Sequence, residues 1–217
     1  HRVDRRQRQM CIRDSTNMNY TIYMESTPNP EVMKFVANKI LTEDSIEMLN
    51  NENSDQVPLA MELFKFPFIK SIFISYNFIS ITKNNDSDWY EISTEIREFI
   101  NNYLNKNGFV NNFKSSANID AELKNDDIIQ HKQIDTANLS DIEKEIVSII
   151  DQYIQPAVAA DGGSIVFKSY NDGIVHVILK GACSGCPSST ITLKQGIENL
   201  LKQKLGSQIK EVSAYNG

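Results

Sequence analysis

At 217 residues, the chain is long enough for two domains of moderate size, each with a core of its own. A formal charge of −6 excludes the broad basic field of a nonspecific nucleic-acid binder, and the most apolar region, 64–81, is interrupted by Lys65 and Lys70, so neither nucleic acid nor membrane is expected as a partner. Three cysteines make no disulfide framework, and no secretory leader precedes the first periodic segment, which points to a reducing compartment.

Residues 1–17 hold Arg2, Arg5, Arg6, Arg8 and Arg13 without apolar periodicity. The string from Val3 to Ser15 resembles translated adaptor sequence at the end of an assembled contig, so this tail reads as non-native, with Met18 as the start. Residues Thr21 to Glu25 pattern as a strand, Ser26-Thr27-Pro28-Asn29-Pro30 as a rigid turn, and Val32 to Val36 as a second strand. Between Thr42 and Leu49 a brief helical turn is expected, and 50–56 is loop-like. Pro58 suits the first position of a helix reaching about Phe64. Strands follow at Ile69 to Ser75 and Phe78 to Thr82, joined by Tyr76-Asn77. Asp88 and Glu91 then give a box-like start to a helix carrying Trp89, Ile92, Ile96, Phe99, Ile100 and Tyr103 at helical spacing, closed by Gly108. That stripe reads as core packing rather than as a ligand box.

From Phe109 to Asn138 the composition turns polar, and a linker is expected, with a short helix around Ala121 to Gln130 as an option. His131 lies there without a ligand-spaced companion. A helix starts after Leu139, with Ser140 and Glu143 as a capping box and Ile142, Ile146, Ile149, Ile150 and Tyr153 on one face, kinked or ended by Pro156. Asp161-Gly162-Gly163 suits the exit from helix into strand. Ile165 to Tyr170 and Ile174 to Leu179 form strands around the hairpin signal Asn171-Asp172-Gly173. Ser188, Ser189 and Thr190 offer an N-cap to a helix marked by Leu193, Ile197, Leu200, Leu201 and Leu205; Gly206 ends it, and Ile209 to Tyr215 is the last strand. The domains so drawn are 18–107, a polar linker 108–138, and 139–217. The expected class is α/β (α+β), two small domains that each pack a small β-sheet with helices.

The chemistry concentrates in Gly181-Ala182-Cys183-Ser184-Gly185-Cys186-Pro187, where two thiols sit three positions apart between a strand and a helix. Thiolates bind soft metals and attack disulfides, and a helix start favours the thiolate form. Gly181 and Gly185 clear space near the sulfurs, which favours a shared, surface-accessible site. Three readings compete. A disulfide oxidoreductase would use the same pair, but the Trp-Cys-Gly-Pro-Cys core of thioredoxins is absent. Structural zinc needs two more ligands, and neither a second CxxC nor a His pair follows Leu139; His176 alternates with Val175 and Val177 and reads as a packed side chain. An iron-sulfur centre bridged across a symmetric dimer takes two thiolates from each subunit, and ligand count favours it. Two buried cysteines without a role is the remaining reading.

Asp161-Gly162-Gly163, the hairpin, and Gly181 through Ser189 together resemble the C-terminal domain of NifU-like (Nfu) iron-sulfur scaffold proteins, over Leu139 to Tyr215. Residues 21–107 resemble the Nfu N-terminal domain through Ser26-Thr27-Pro28-Asn29-Pro30, Lys34-Phe35, Pro58-Leu59-Ala60 with Leu63-Phe64, and Phe78 to Lys83 ahead of Trp89. Phe66-Pro67-Phe68 departs from the family, where a glycine-containing turn is expected. The resemblance implies a non-enzymatic carrier that binds a 4Fe-4S cluster, with a 2Fe-2S form as the alternative, on Cys183 and Cys186 of a homodimer. It implies iron-sulfur assembly machinery as donor and apo iron-sulfur enzymes as clients, with the N-terminal domain docking one or the other. The lack of a credible leader and the abundance of Asn, Ile and Lys point to a bacterial cytoplasm; an organellar origin follows only if residues 1–17 are genuine.

Overall fold

The structure, a computed structural model, describes residues 19–49, 56–84, 87–110, 139–184 and 187–216, with backbone alone at 187–189. The expectations for the 1–17 tail, a helix near 121–130 and the bulk of the linker lie outside the described residues. Alternation of apolar and polar residues builds the first sheet from β1 (Ile22–Ser26), β2 (Val32–Ala37), β3 (Ser45–Leu49), β4 (Ile69–Ser75) and β5 (Phe78–Lys83). Its strands are all antiparallel, in the order β1-β2-β5-β4-β3. One face, with Phe35, Ile46, Met48, Ile72, Ile74, Ile79 and Ile81, shares a core with Leu59 and Leu63 of α1 (Pro58–Leu63) and with Ile96, Ile100 and Leu104 of α2 (Trp89–Asn107).

Three local departures have physical causes. The helical turn expected in 42–49 is instead edge strand β3, because Ile46 and Met48 alternate inward with a period of two, while the segment is too short to display a helical period. Asp88 caps α2 with one bond from the Tyr90 N–H at 2.9 Å, where its spacing to Glu91 predicts a reciprocal box. The glycine-free turn at Phe66-Pro67-Phe68 is held by aromatic packing instead, since the Phe66 ring meets Phe68 at 5.5 Å and Phe99 edge-on at 5.2 Å.

In the second half, α3 (Asp141–Ile149) begins at the predicted Ser140–Glu143 capping box. The helix does not stop at Pro156. Its missing N–H is absorbed by a π turn over Ile150–Ile154, in which the Gln155 N–H reaches the Ile150 carbonyl, and α4 (Gln155–Ala160) carries on. β6 (Gly163–Asn171) and β7 (Ile174–Gly181) form the predicted hairpin, with Asp172 at φ 52° and Gly173 at φ 88° as the tight turn requires. From Pro187, α5 (Pro187–Leu205) returns the chain so that β8 (Glu211–Asn216) pairs parallel to β7, giving a three-stranded sheet β6-β7-β8. The helix therefore starts before the Ser188–Thr190 cap read from the sequence. Ile146, Ile150, Phe167, Val177, Ile197, Leu201 and Val212 fill a second, separate core. The chain is thus two small α/β domains, each a sheet packed with helices.

The two sheets meet along one row. Registers across the first sheet align Glu25 with Lys34, Lys34 with Ser80, Ser80 with Phe73, and Phe73 with Glu47, one residue from each strand. This row lies on the face away from the helices, where an antiparallel sheet commonly meets water. Here Lys34, Ser80 and Phe73 are 7%, 1% and 2% exposed without belonging to either core, because the second domain covers them.

Two carboxylates stiffen the C-terminal domain. Glu143 closes the α3 capping box, and Glu198 of α5 accepts bonds from Lys202 and from the Val212 N–H (3.1 Å) of β8. The Ser140 hydroxyl and N–H hold the Glu143 carboxyl below its ordinary value near 4.5, and Lys202 with the Val212 N–H does the same for Glu198. Such groups stabilise the fold fully above the ordinary carboxylate value, and that contribution is lost as pH falls through the depressed folded values. Unfolding followed between about pH 5 and pH 2 is expected to show this acid loss, shallower in Glu198→Gln; an unchanged acid slope in that variant rules out the Glu198 contribution.

Candidate functional site

The open end of the β6–β7 hairpin is where the cysteine loop leaves the sheet. Gly163 and Gly181 face each other across the ladder there. The Gly181 carbonyl then accepts from the Ser184 N–H (3.1 Å) and hydroxyl (2.8 Å), while the Ala182 N–H donates to the Gly162 carbonyl (3.2 Å). A tight turn results, with Cys183 at its centre.

Cys183 is 5% exposed and packs with the apolar core of its own domain. This corrects the expectation of a surface-accessible thiol. The reason lies in Gly163: a Cβ at that position would sit 2.6 Å from the Cys183 sulfur and 2.7 Å from the Lys180 carbonyl, so the missing side chain is the room into which the thiol turns. Cys186 and Gly185 lie outside the described residues, as do Cys11 and His131. The His176 Nδ1 lies 3.1 Å from the Tyr215 hydroxyl on the neighbouring strand β8. Among the described residues, no three His, Cys, Asp or Glu side chains gather at metal-binding distance.

What surrounds the loop is the first domain, which no motif in the sequence announces as a neighbour. Asn29 donates from Nδ2 to the Ala182 carbonyl (3.2 Å), Lys34 Nζ to the Ala160 carbonyl (3.1 Å), and the Ser80 hydroxyl to the Gly162 carbonyl (2.6 Å). The Gly181 N–H donates to Glu47 Oε1 at 3.0 Å. Gly162 (φ +82°) and Gly181 (φ +64°) are needed twice over: their backbone angles suit glycine, and a Cβ would meet Ser80 Oγ at 2.8 Å or the Phe73 ring at 2.6 Å. Gly162 and Gly181 thus serve close approach of another sheet.

Besides Lys34 and its partner Glu25, this junction holds the charged pair Glu47 and Lys180. Burial pushes the Glu47 carboxyl up, against the opposing pull of the Gly181 N–H, Lys180 and Ser184. Burial pushes the Lys180 ammonium down, and Glu47 partly restores it. In both, desolvation outweighs the pairing. Sequence reading missed Glu47, Phe73 and Ser80, although a carboxylate between Ile46 and Met48 in β3 and a serine within Phe78 to Ile81 are polar interruptions that signal a second buried face.

Comparison with known proteins agrees with this architecture. Residues 22–107 match the family model described as scaffold protein Nfu/NifU N terminal, and residues 146–213 match the NifU-like domain. The chain belongs to the NifU-like (Nfu) family. It is 32% identical over 205 residues to a Drosophila ananassae protein named NFU1 iron-sulfur cluster scaffold homolog, mitochondrial, covering 90% of this chain and 64% of that one. The Homo sapiens protein of the same name is 32% identical over 183 residues, covering 83% and 66%. The chain thus spans somewhat under two thirds of the length of these relatives. A solution structure of a NifU-like protein from Saccharomyces cerevisiae shares 21% identity, covers 52% of this chain and all of that one, and superposes with a TM-score of 0.41.

These relatives overturn the bacterial, cytoplasmic address expected from composition, since their names place them in the mitochondrion. Asn, Ile and Lys content reflects base composition and carries no address.

Gly163→Ala tests the packing of the thiol. The clash with the Lys180 carbonyl is with backbone and cannot be relieved by a rotamer change, so a loss of about 1–3 kcal/mol is expected in the C-terminal domain, measured by denaturant unfolding. Stability equal to wild type places the Cys183 side chain elsewhere.

Proposed function

We propose that the protein is an iron-sulfur cluster carrier that holds its cargo on Cys183 and Cys186 and passes it to apo-proteins. The observation that carries this reading is the position of Cys183 at the tip of β7, where Gly163 and Gly181 strip side chains from both strands beside it, within a NifU-like domain. Relatives named as iron-sulfur cluster scaffold homologs support the cargo class.

Two thiolates complete half of a Cys₄ set, so two copies of the domain share one centre, a 4Fe-4S cluster, across a homodimer. Delivery is ligand exchange. Each iron–thiolate bond to Cys183 or Cys186 breaks as a client thiolate forms its own; the client thiol gives up a proton, the released cysteine takes one, and no electron moves. Stepwise exchange frees one subunit and then the other. Iron-sulfur assembly machinery is the donor, apo iron-sulfur enzymes are the clients, and domain boundaries near 107 and 139 separate the cargo-bearing domain from the one that controls access to it.

Anaerobic incubation with iron and sulfide is expected to give a brown dimer with roughly four irons per dimer, and Cys183→Ser or Cys186→Ser to abolish it. Protein that stays colourless and monomeric while reducing insulin disulfides identifies the pair as a redox site instead.

A further inference from the structure

The motifs of the first domain have no part in holding a cluster, yet they converge on the cysteine loop. Asn29 comes from the Ser26–Pro30 turn, Lys34 from the Lys34-Phe35 pair, and Ser80 from the Phe78–Lys83 strand; their acceptors are Ala182 beside Cys183, Ala160 at the end of α4, and Gly162 of the Gly-Gly turn that makes room for the thiol. From the other edge of the sheet, Glu47 takes the Gly181 N–H, and Phe73 covers Gly181 in the space a Cβ would fill. Both residues before Cys183 are therefore held through their backbone by the first domain, in the conformation that turns the thiol into the core.

We infer that the outer face of the five-stranded sheet is a lock for the cysteine loop of its own chain, keeping Cys183 sequestered in a closed state that must undock before the sulfur can serve any ligand. Docking and ligand service exclude one another, because an iron centre needs the sulfur outside the core while Asn29 and Glu47 hold the loop that buries it. The occupant of the face is the chain's own 160–163 and 180–182, already seated by four hydrogen bonds. The lock is independent of the cargo assigned above, so its test uses no iron.

Ser80→Arg places a long side chain where the Ser80 hydroxyl meets the Gly162 carbonyl, and Glu47→Ala removes the acceptor of the Gly181 N–H together with the carboxylate beside Ser184 and Lys180; neither residue belongs to a core. In the metal-free full chain, alkylation of Cys183 by iodoacetamide, localised by mass spectrometry, is expected to accelerate about tenfold in Ser80→Arg and several-fold in Glu47→Ala, as the loss of one to two net hydrogen bonds implies. Exchange of the Gly181 amide is expected to rise in parallel. Tyr23→Arg, on the same sheet but 59% exposed, is expected to change neither. Equal Cys183 and Gly181 rates in wild type, Ser80→Arg and Glu47→Ala, with secondary structure intact by circular dichroism, overturn the lock. Should Ser80→Arg fail to fold, Glu47→Ala decides alone.

Discussion

Burial of the middle of one cross-strand row, Lys34, Ser80 and Phe73 between Glu25 and Glu47, is the constraint on which the rest of the arrangement depends. An ammonium taken from water without partners would be expensive, yet Lys34 is 7% exposed. It is tolerated because Glu25 lies 3.0 Å away, the Ala160 carbonyl accepts at 3.1 Å, and the Phe78 ring presents its face at 5.0 Å. Ser80 and Glu47 meet the same demand with bonds to Gly162 and Gly181. Phe73 supplies the apolar part, roughly 1.5–3 kcal/mol for a side chain taken fully out of water. Lys34, Ser80 and Glu47 each find a partner on the second domain. Neither domain presents this face in the same way alone.

The glycines around Cys183 follow from that constraint. Gly162 and Gly181 sit against Ser80 and Phe73, so the first domain reaches the backbone itself, while Gly163 faces inward and leaves room for the thiol. Glycines near a CxxC are easily taken as clearance for a bulky inorganic centre. Here the same clearance already has two occupants, a neighbouring sheet on one side and the cysteine sulfur on the other. Any centre bound by Cys183 must contend with both.

Much of the fold was legible because local signals agreed with the tertiary outcome. The Ser140–Glu143 box, the Asp172-Gly173 turn, the α2 stripe and Pro58 at a helix start all fell where residue chemistry put them. β3 was not legible, since two inward residues in five give too little period to tell a strand from a turn. Pro156 was legible as a kink or an end but not as which: a proline forbids one backbone bond, a π turn reroutes the ladder around it, and periodicity does not report that. At the site, spacing found the cysteines but not the burial of Cys183, which depends on a missing Cβ twenty residues away. The lock was invisible because its members, from residue 29 to residue 80, come into line only through the register of the sheet.

The tether decides how strong such a lock has to be. Inter-domain contacts within one chain resemble transient interfaces, and hydrogen bonds such as these, with Phe73 as an apolar anchor, would hold two free proteins weakly. Asn107 and Asp141 are joined by the intervening chain, so docking is intramolecular, at an effective concentration in the millimolar range for a short flexible connection and falling only slowly as the connection lengthens. A contact too weak to persist between molecules can therefore dominate within one. It also remains reversible, because each hydrogen bond contributes only about 1 kcal/mol net. A partner that binds either face of the junction, or a second copy that draws the loop into a shared centre, competes against a modest free energy, and the closed state yields without either domain having to unfold.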